Sequence, residues 1–243
     1  MEMSEEEKRL EAEAIKYAKQ HRTEIARRLA DPAKFVPEER PVSVFMAGSP
    51  GAGKTEASIE LLKLRGAGGS HILRIDPDEL RAELPGYAGA NAWLFQRAVT
   101  PLVERIHDLA LKQEQSFLLD GTLANYDVAR RNVDRSLNKD RAVQVLYVYQ
   151  EPEQAWRFVQ VREAAEGRRI HPEEFIRQYF AARLVVNRLK VEFGKAIQVD
   201  LLMKNNDGSQ RFYRAGVDQI DNHIPEKYSP ADVRQMLGLP PVQ

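Results

Sequence analysis

Three groups of residues have types and spacings that could do chemistry. The first is Gly48-Ser49-Pro50-Gly51-Ala52-Gly53-Lys54-Thr55, followed by Glu56. It fits G-x-x-x-x-G-K-[ST] and lies between an apolar run, VSVFMAG (42–48), and a helical one beginning at Lys54. Free of bulky side chains, such a loop can turn its amides onto a phosphate while the following helix points its positive end at the same spot. Lys54 then reaches the β and γ oxygens, and the Thr55 hydroxyl can hold Mg²⁺. The residues from Gly48 to Glu56 are expected to line a nucleoside triphosphate. The dinucleotide pattern G-x-G-x-x-G is not met, because Gly51 and Gly53 are followed by Glu56.

The second group is HILRIDPDELRAELPGY, in which Asp76 and Asp78 leave the end of an apolar run. Strand ends border the crevice of an open α/β sheet, so a carboxylate there can face a hydroxyl poised for in-line attack on a γ-phosphoryl group and take its proton. The alternative is that Asp78 caps a helix starting at Glu79. The third group is WRFVQVREAAEGRRIHPEEFIRQ, which places Arg157, Arg162, Arg168, Arg169 and Arg177 on a helical hairpin broken near Gly167. Arginines closing over a triphosphate neutralise the migrating phosphoryl group, and a hairpin that closes excludes water. The alternative is a solvated helix face paired with Glu163, Glu166, Glu173 and Glu174.

Positioning these groups requires a sheet. Apolar runs at 42–48, 71–76, 116–120 and 142–149 alternate with helical stretches, one from Lys54, one through Leu111 and one from about Tyr126. Continuous apolar runs suit strands covered on both faces, and alternation with helices gives crossovers and a parallel sheet. AIQVDLLMKN and the stretch after it read as a closing strand and a hairpin turned by Asn206-Asp207-Gly208. Ahead of the core, residues 1–35 read as an amphipathic helical segment with a capping box at Ser4 and Glu7, and DPAKFVPEERP (31–41) as a linker. The expectation is an α/β P-loop kinase-like fold over 36–243, with helices on both faces, a lid at about 155–180 and a C-terminal β-hairpin.

Composition bounds the rest. The 243 residues are 43% hydrophobic, with thirty-six basic and thirty-six acidic side chains, so no net field draws the chain to nucleic acid or an anionic membrane. There is no cysteine, and the five histidines show no metal spacing. The N-terminus is acidic and helical, and no apolar run reaches eighteen residues, so a cytoplasmic protein is expected. A GTPase would show N-K-x-D after a late strand, but Asn138-Lys139-Asp140 lacks the spacer and precedes its strand. A motor ATPase would carry an acidic pair where SFLLDGT has Asp120-Gly121-Thr122.

From Val42 to Tyr213 the chain resembles the zeta toxin family, the kinase halves of bacterial toxin–antitoxin pairs, through GSPGAGKT, IDPDELR, DGT and RIHP in matching order. The resemblance implies an ATP- and Mg²⁺-dependent kinase of the 3′-hydroxyl of UDP-N-acetylglucosamine. It makes Asp78 the general base, Lys54 the phosphate-binding lysine, Thr55 the metal-side hydroxyl with Asp120 a second candidate, and Arg162 and Arg169 the lid cations, with Arg157 or Arg168 as substitutes. Arg81, Glu104, Asp120 and Thr122 fall on its substrate side together with Asp78. Two positions depart from the family: Asp120 stands where glutamate is usual, and Ala124 where an arginine is. The resemblance also implies a helical antitoxin, and the N-terminal helix could guard the cleft in cis or serve as scaffold. Rival readings are a kinase of another small molecule or a polynucleotide end, and a nucleotide-binding module without catalysis.

Overall fold

The computed structural model describes residues 3–66, 72–167, 169–205, 207, 209–225 and 227–241. Six strands form one sheet in the order β2-β3-β1-β4-β5-β6. They are β1 (Val42–Ala47), β2 (Leu73–Ile75), β3 (Phe117–Leu119), β4 (Ala142–Tyr149), β5 (Ile197–Lys204) and β6 (Gln210–Arg214). The first five are mutually parallel, with Val44 opposite both Leu118 and Gln144, and β6 closes the edge antiparallel to β5. The mostly parallel sheet and its closing hairpin match the expectation, although Asn206 and Gly208 of the hairpin turn, and His71 at the head of the second run, lie outside the described residues.

The alternating direction of strand side chains builds a core on each face. Phe45 and Ala47 of β1 join one core with Phe117, Val145 and Leu201, while Val44 and Met46 join the other with Leu118, Leu146, Val148 and Leu202. The second core is sealed by α2 (Lys54–Gly66) through Ala57, Leu61 and Leu62. The first is sealed by α4 (Gln96–Lys112) and α7 (Pro172–Phe193), whose inward residues include Leu102, Ile106, Phe175 and Tyr179. Ala129 and Val133 of α5 (Tyr126–Leu137) join them.

The N-terminal segment is a single helix, α1 (Glu5–Leu29), and its Ser4–Glu7 capping box is formed. Its Ala14, Ala18, Ile25 and Ala26 are buried in the same core as β1 and α4. Small residues let α1 lie close along α4, and the pairs Arg97–Glu11 and Arg28–Glu83 fasten its flanks.

One expectation is corrected. The helical stretch through Leu111 is not continuous: α3 (Pro77–Leu80) and a 3₁₀ turn, Arg81–Glu83, end at Leu84-Pro85-Gly86, and α4 begins at Gln96 after a second 3₁₀ turn, Ala92–Phe95. Pro85 disfavours helix at the residue before it, and Gly86 takes φ +81°, which supplies the turn. The lid hairpin comprises α6 (Pro152–Glu166) and α7, but α7 is a core helix, with Phe175 fully buried and Trp156 of α6 packed 5.1 Å from it between ring centroids. A further helix, α8 (Pro230–Met236), is capped by Ser229 and Asp232 and was not anticipated.

Candidate active site

The phosphate loop leaves the central strand where its neighbours also end. Gly48 is at φ +137°, and a Cβ there would lie 2.4 Å from the carbonyl oxygen of Val148 on β4. Its amide donates to the Thr122 carbonyl at 3.2 Å, which ties the loop to the segment after β3. Gly51 is at φ +71°, and a Cβ there would meet the carbonyl oxygen of Ala155 on α6 at 2.0 Å. Only glycine fits either position, so loop and lid share a backbone contact. Ser49 and Ala52 are buried within the loop, Pro50, Gly53 and Thr55 are half-buried, and Glu56 is exposed on the first turn of α2.

The Lys54 ammonium folds back over the loop and donates to the carbonyls of Gly48 at 3.1 Å and Ser49 at 2.7 Å. Burial lowers its pKa to about 8; the charges of Asp120, Asp78 and Asp76 oppose that shift, and Arg162 adds to it. Acids from two strand ends and one lid arginine therefore lie within electrostatic reach of the lysine.

At the end of β2 the capping role falls to Asp76, whose Oδ1 accepts the Asp78 amide at 2.8 Å while Pro77 takes the first helical position. The alternative in which Asp78 caps a helix starting at Glu79 is thereby overturned. Burial pushes the Asp76 carboxyl up to about 6, with Asp120 adding and Arg74 opposing. Asp78 stands half-buried, paired with Arg81 of its own turn and with Arg162 Nη2 of the lid at 3.5 Å. Arg81 is buried and also donates to Gln96 Oε1 at 2.8 Å, fixing the start of α4 against the same turn.

Arg74 has no counterpart in the sequence reading. Its Nη2 lies 2.5 Å from Asp76 and 2.6 Å from Asp120, its Nη1 2.6 Å from Glu79, and its Nε 3.1 Å from Ser58 Oγ. Ser58 in turn donates to Asp120 Oδ2 at 2.9 Å, so α2, β2 and β3 are joined by one buried polar cluster beneath the loop. A charged residue centred in the apolar LRI strand was the available signal. Lys204, buried at the end of β5 beside Gly53, was missed as well.

The lid arginines divide. Arg162 faces Asp78, whereas Arg169 is largely exposed with its Nε 3.5 Å from Glu163, Arg157 pairs with Glu153 at 2.7 Å, and Arg177 with Glu174 at 2.6 Å. Arg168 lies outside the described residues. At the lid tip Gly167 ends α6 in the left-handed region and abuts Ala90, where a Cβ would come within 2.8 Å of the Ala90 Cα.

Of the residues expected on the substrate side, Thr122 touches the loop through its carbonyl, and Asp120 is buried in the Arg74 cluster. Glu104 is not brought to them by any contact among the described residues. It pairs with Arg131 of α5 at 3.6 Å and lines a hollow of about 620 Å³ with Lys19, Arg22, Arg97, Thr100 and Pro101, on the α1 side of α4.

No group of three or more His, Asp or Glu that could hold a metal occurs among the described residues. The Thr55 side chain is half-buried on the first turn of α2. No described helix is long and apolar enough to cross a membrane.

The family model for Zeta toxin matches residues 26–218. None of the curated proteins matches the chain. Among solved structures, that of the PezAT chromosomal toxin–antitoxin system of the human pathogen Streptococcus pneumoniae superposes with a TM-score of 0.60 at 17% identity, covering 98% of this chain and 93% of that one. The AvrRxo1-ORF1:-ORF2 complex with ATP gives a TM-score of 0.55 at 13% identity over 84% of this chain and 65% of that one. The same complex with sulphate ions gives 0.57 at 13% identity over 88% and 70%. With the loop, the acids beyond the second and third strands of the chain and the lid arginine gathered at one edge of a mostly parallel sheet, and the family model spanning most of the chain, the chain belongs to the zeta toxin family and has its P-loop kinase-like fold.

Proposed function

We propose that this protein is an ATP-dependent kinase whose acceptor is a hydroxyl of a UDP-activated amino sugar, the 3′-hydroxyl of UDP-N-acetylglucosamine, and that it acts as a zeta-type toxin restrained by a helical antitoxin. The observation that carries the reading is the convergence of Lys54, Asp78 and Arg162: the acid is not the helix cap, it lies within electrostatic reach of the loop lysine, and it meets a lid arginine at 3.5 Å.

In this reading the acceptor oxygen forms a bond to the γ-phosphorus as the bond from that phosphorus to the β–γ bridging oxygen breaks, and the hydroxyl proton passes to the Asp78 carboxylate. Arg81 holds that carboxylate from below and Gln96 holds Arg81. Lys54 exchanges its two loop carbonyls for β and γ oxygens, and Arg162, with Arg169 when the lid tightens, neutralises the equatorial oxygens. Thr55 would hold Mg²⁺, which when bound would supply charge neutralisation to the phosphates. The loop, Gly48 to Thr55, and Glu56 line the nucleotide; Asp78, Arg81, Thr122 and the second oxygen of Asp120 face the acceptor. Glu104 would reach an acceptor only if its pairing with Arg131 is exchanged.

The test is incubation of the purified protein with ATP, Mg²⁺ and a panel of sugar nucleotides, nucleosides and oligonucleotides, read by mass. A sugar nucleotide heavier by one phosphate is the expected product. Phosphate on an oligonucleotide end alone would move the assignment to a polynucleotide kinase, and no product from any acceptor would favour the module without catalysis.

A further inference from the structure

Lys204 ends β5, where the strand runs past the last residue of β4 and reaches the phosphate loop. It is 4% exposed, yet no hydrogen bond or ion pair joins its ammonium to any described residue. Nor does the ammonium belong to the atoms sealed from solvent without a partner, so its tip opens onto the surface. The side chain lies across Gly53, with Cε 3.4 Å and Cγ 3.8 Å from where a Cβ on that glycine would be, and Glu56 Oε2 is 3.6 Å from the same point. With its stem buried against the loop, its tip open and no protein partner in reach, the ammonium is placed to pair with an anion bound across Gly53.

The two lysines serve opposite ends of the loop. Lys54 covers Gly48 and Ser49, the end that takes the β and γ oxygens. Lys204 covers Gly53 and the first turn of α2, the end left for the α-phosphate and the nucleoside. We infer that Lys204 is a second nucleotide-binding lysine, contacting the α-phosphate of the bound nucleotide from the β5 side. The assignment rests on the nucleotide reading of the loop. The competing role is a structural one, in which Lys204 only balances Glu56 through water.

The two roles differ in their ligand dependence. Dissociation constants for adenosine, AMP, ADP and ATP are measured by calorimetry or competition on the full chain and on Lys204→Met, Lys204→Gln and Lys54→Met, with melting temperatures as a check on folding. Two substitutions at 204 are used so that a folding defect in one leaves the other to be read. An α-phosphate contact predicts that either 204 variant weakens AMP, ADP and ATP by a similar factor, about tenfold for one charge-assisted contact, and leaves adenosine unchanged. Lys54→Met should weaken ADP and ATP and leave AMP within about twofold. The inference is overturned if the 204 variants bind all three nucleotides as the unaltered protein does, or if they weaken ADP and ATP but spare AMP. If the unaltered protein binds no nucleotide, the reading of the loop fails and the Lys204 role with it; if it binds ATP and the 204 variants bind equally well, only the Lys204 role fails.

Discussion

Lys54 is the residue at which sequence and electrostatics meet most directly. Its place in GAGKT announces a phosphate ligand, but its environment sets when it carries charge: burial brings the pKa to about 8, within reach of ordinary assay conditions. In the protein without nucleotide the ammonium is therefore lost as pH rises through about 8, so ATP affinity should weaken by up to about tenfold per pH unit above that point. Lys54→Arg, charged throughout, should bind with a flat profile. An unaltered protein whose ATP dissociation constant is constant from neutral pH to well above 9 would contradict this. Because the folded state holds the proton less tightly than the unfolded chain, the same titration raises stability as pH climbs from about 8 towards the ordinary lysine value of 10.5. Arg74 and Lys204 were not legible at this scale. A charge inside a strand declares its partners only once the register is known, and Asp76, Asp120 and Ser58 come from three separate elements. The sequence left open whether Asp78 caps the helix, and the cap geometry of Asp76 answers that it does not.

At the scale of elements, the loop and the lid are joined by backbone rather than by side chains. Gly51 combines a left-handed φ with a Cβ position 2.0 Å from the Ala155 carbonyl, so a methyl group there must displace the start of α6 and with it Arg162. Gly51→Ala should cost about 1–2 kcal/mol from the dihedral alone and lower the melting temperature by about 2–8 °C, with a loss of ATP affinity. A variant melting and binding as the unaltered protein does would show that the loop and α6 are not coupled. The strands were the elements best read from sequence: AVQVLYVY is β4 residue for residue, because a strand covered on both faces carries a nearly continuous apolar run, here interrupted only at Gln144. The break at Leu84-Pro85-Gly86 was misread because the apolar spacing continues on either side of it, with Leu80 before and Leu94 after. The burial of the lid's second arm could not be read from sequence, since exposed arginines and glutamates share α7 with Phe175, Tyr179 and Val186, which face the core.

For the molecule as a whole, α1 decides how far the working unit extends. Family similarity begins at residue 26, but Ala14, Ala18 and Ile25 are already part of the core that supports α4, and α4 supports the Arg81–Asp78 pair through Gln96. We propose that α1 and the kinase domain fold together. Deleting residues 1–35 should abolish the cooperative melting transition and yield aggregated protein. A soluble deletion product with raised activity would instead establish α1 as a guard over the cleft, and one with unchanged activity and melting would show that α1 is dispensable.

The account's central claim is that Asp78 acts on the acceptor hydroxyl and is not needed to hold the nucleotide. Asp78→Asn keeps the size but removes the base and the charge that faces Arg81 and Arg162, so ATP affinity and the rate of phosphoryl transfer to the accepted substrate should be measured on the same preparation. The predicted result is an ATP dissociation constant within about threefold of the unaltered protein and a transfer rate lower by about 10²–10⁴-fold. A transfer rate left unchanged, or a loss of ATP binding that by itself explains the lost rate, would contradict it.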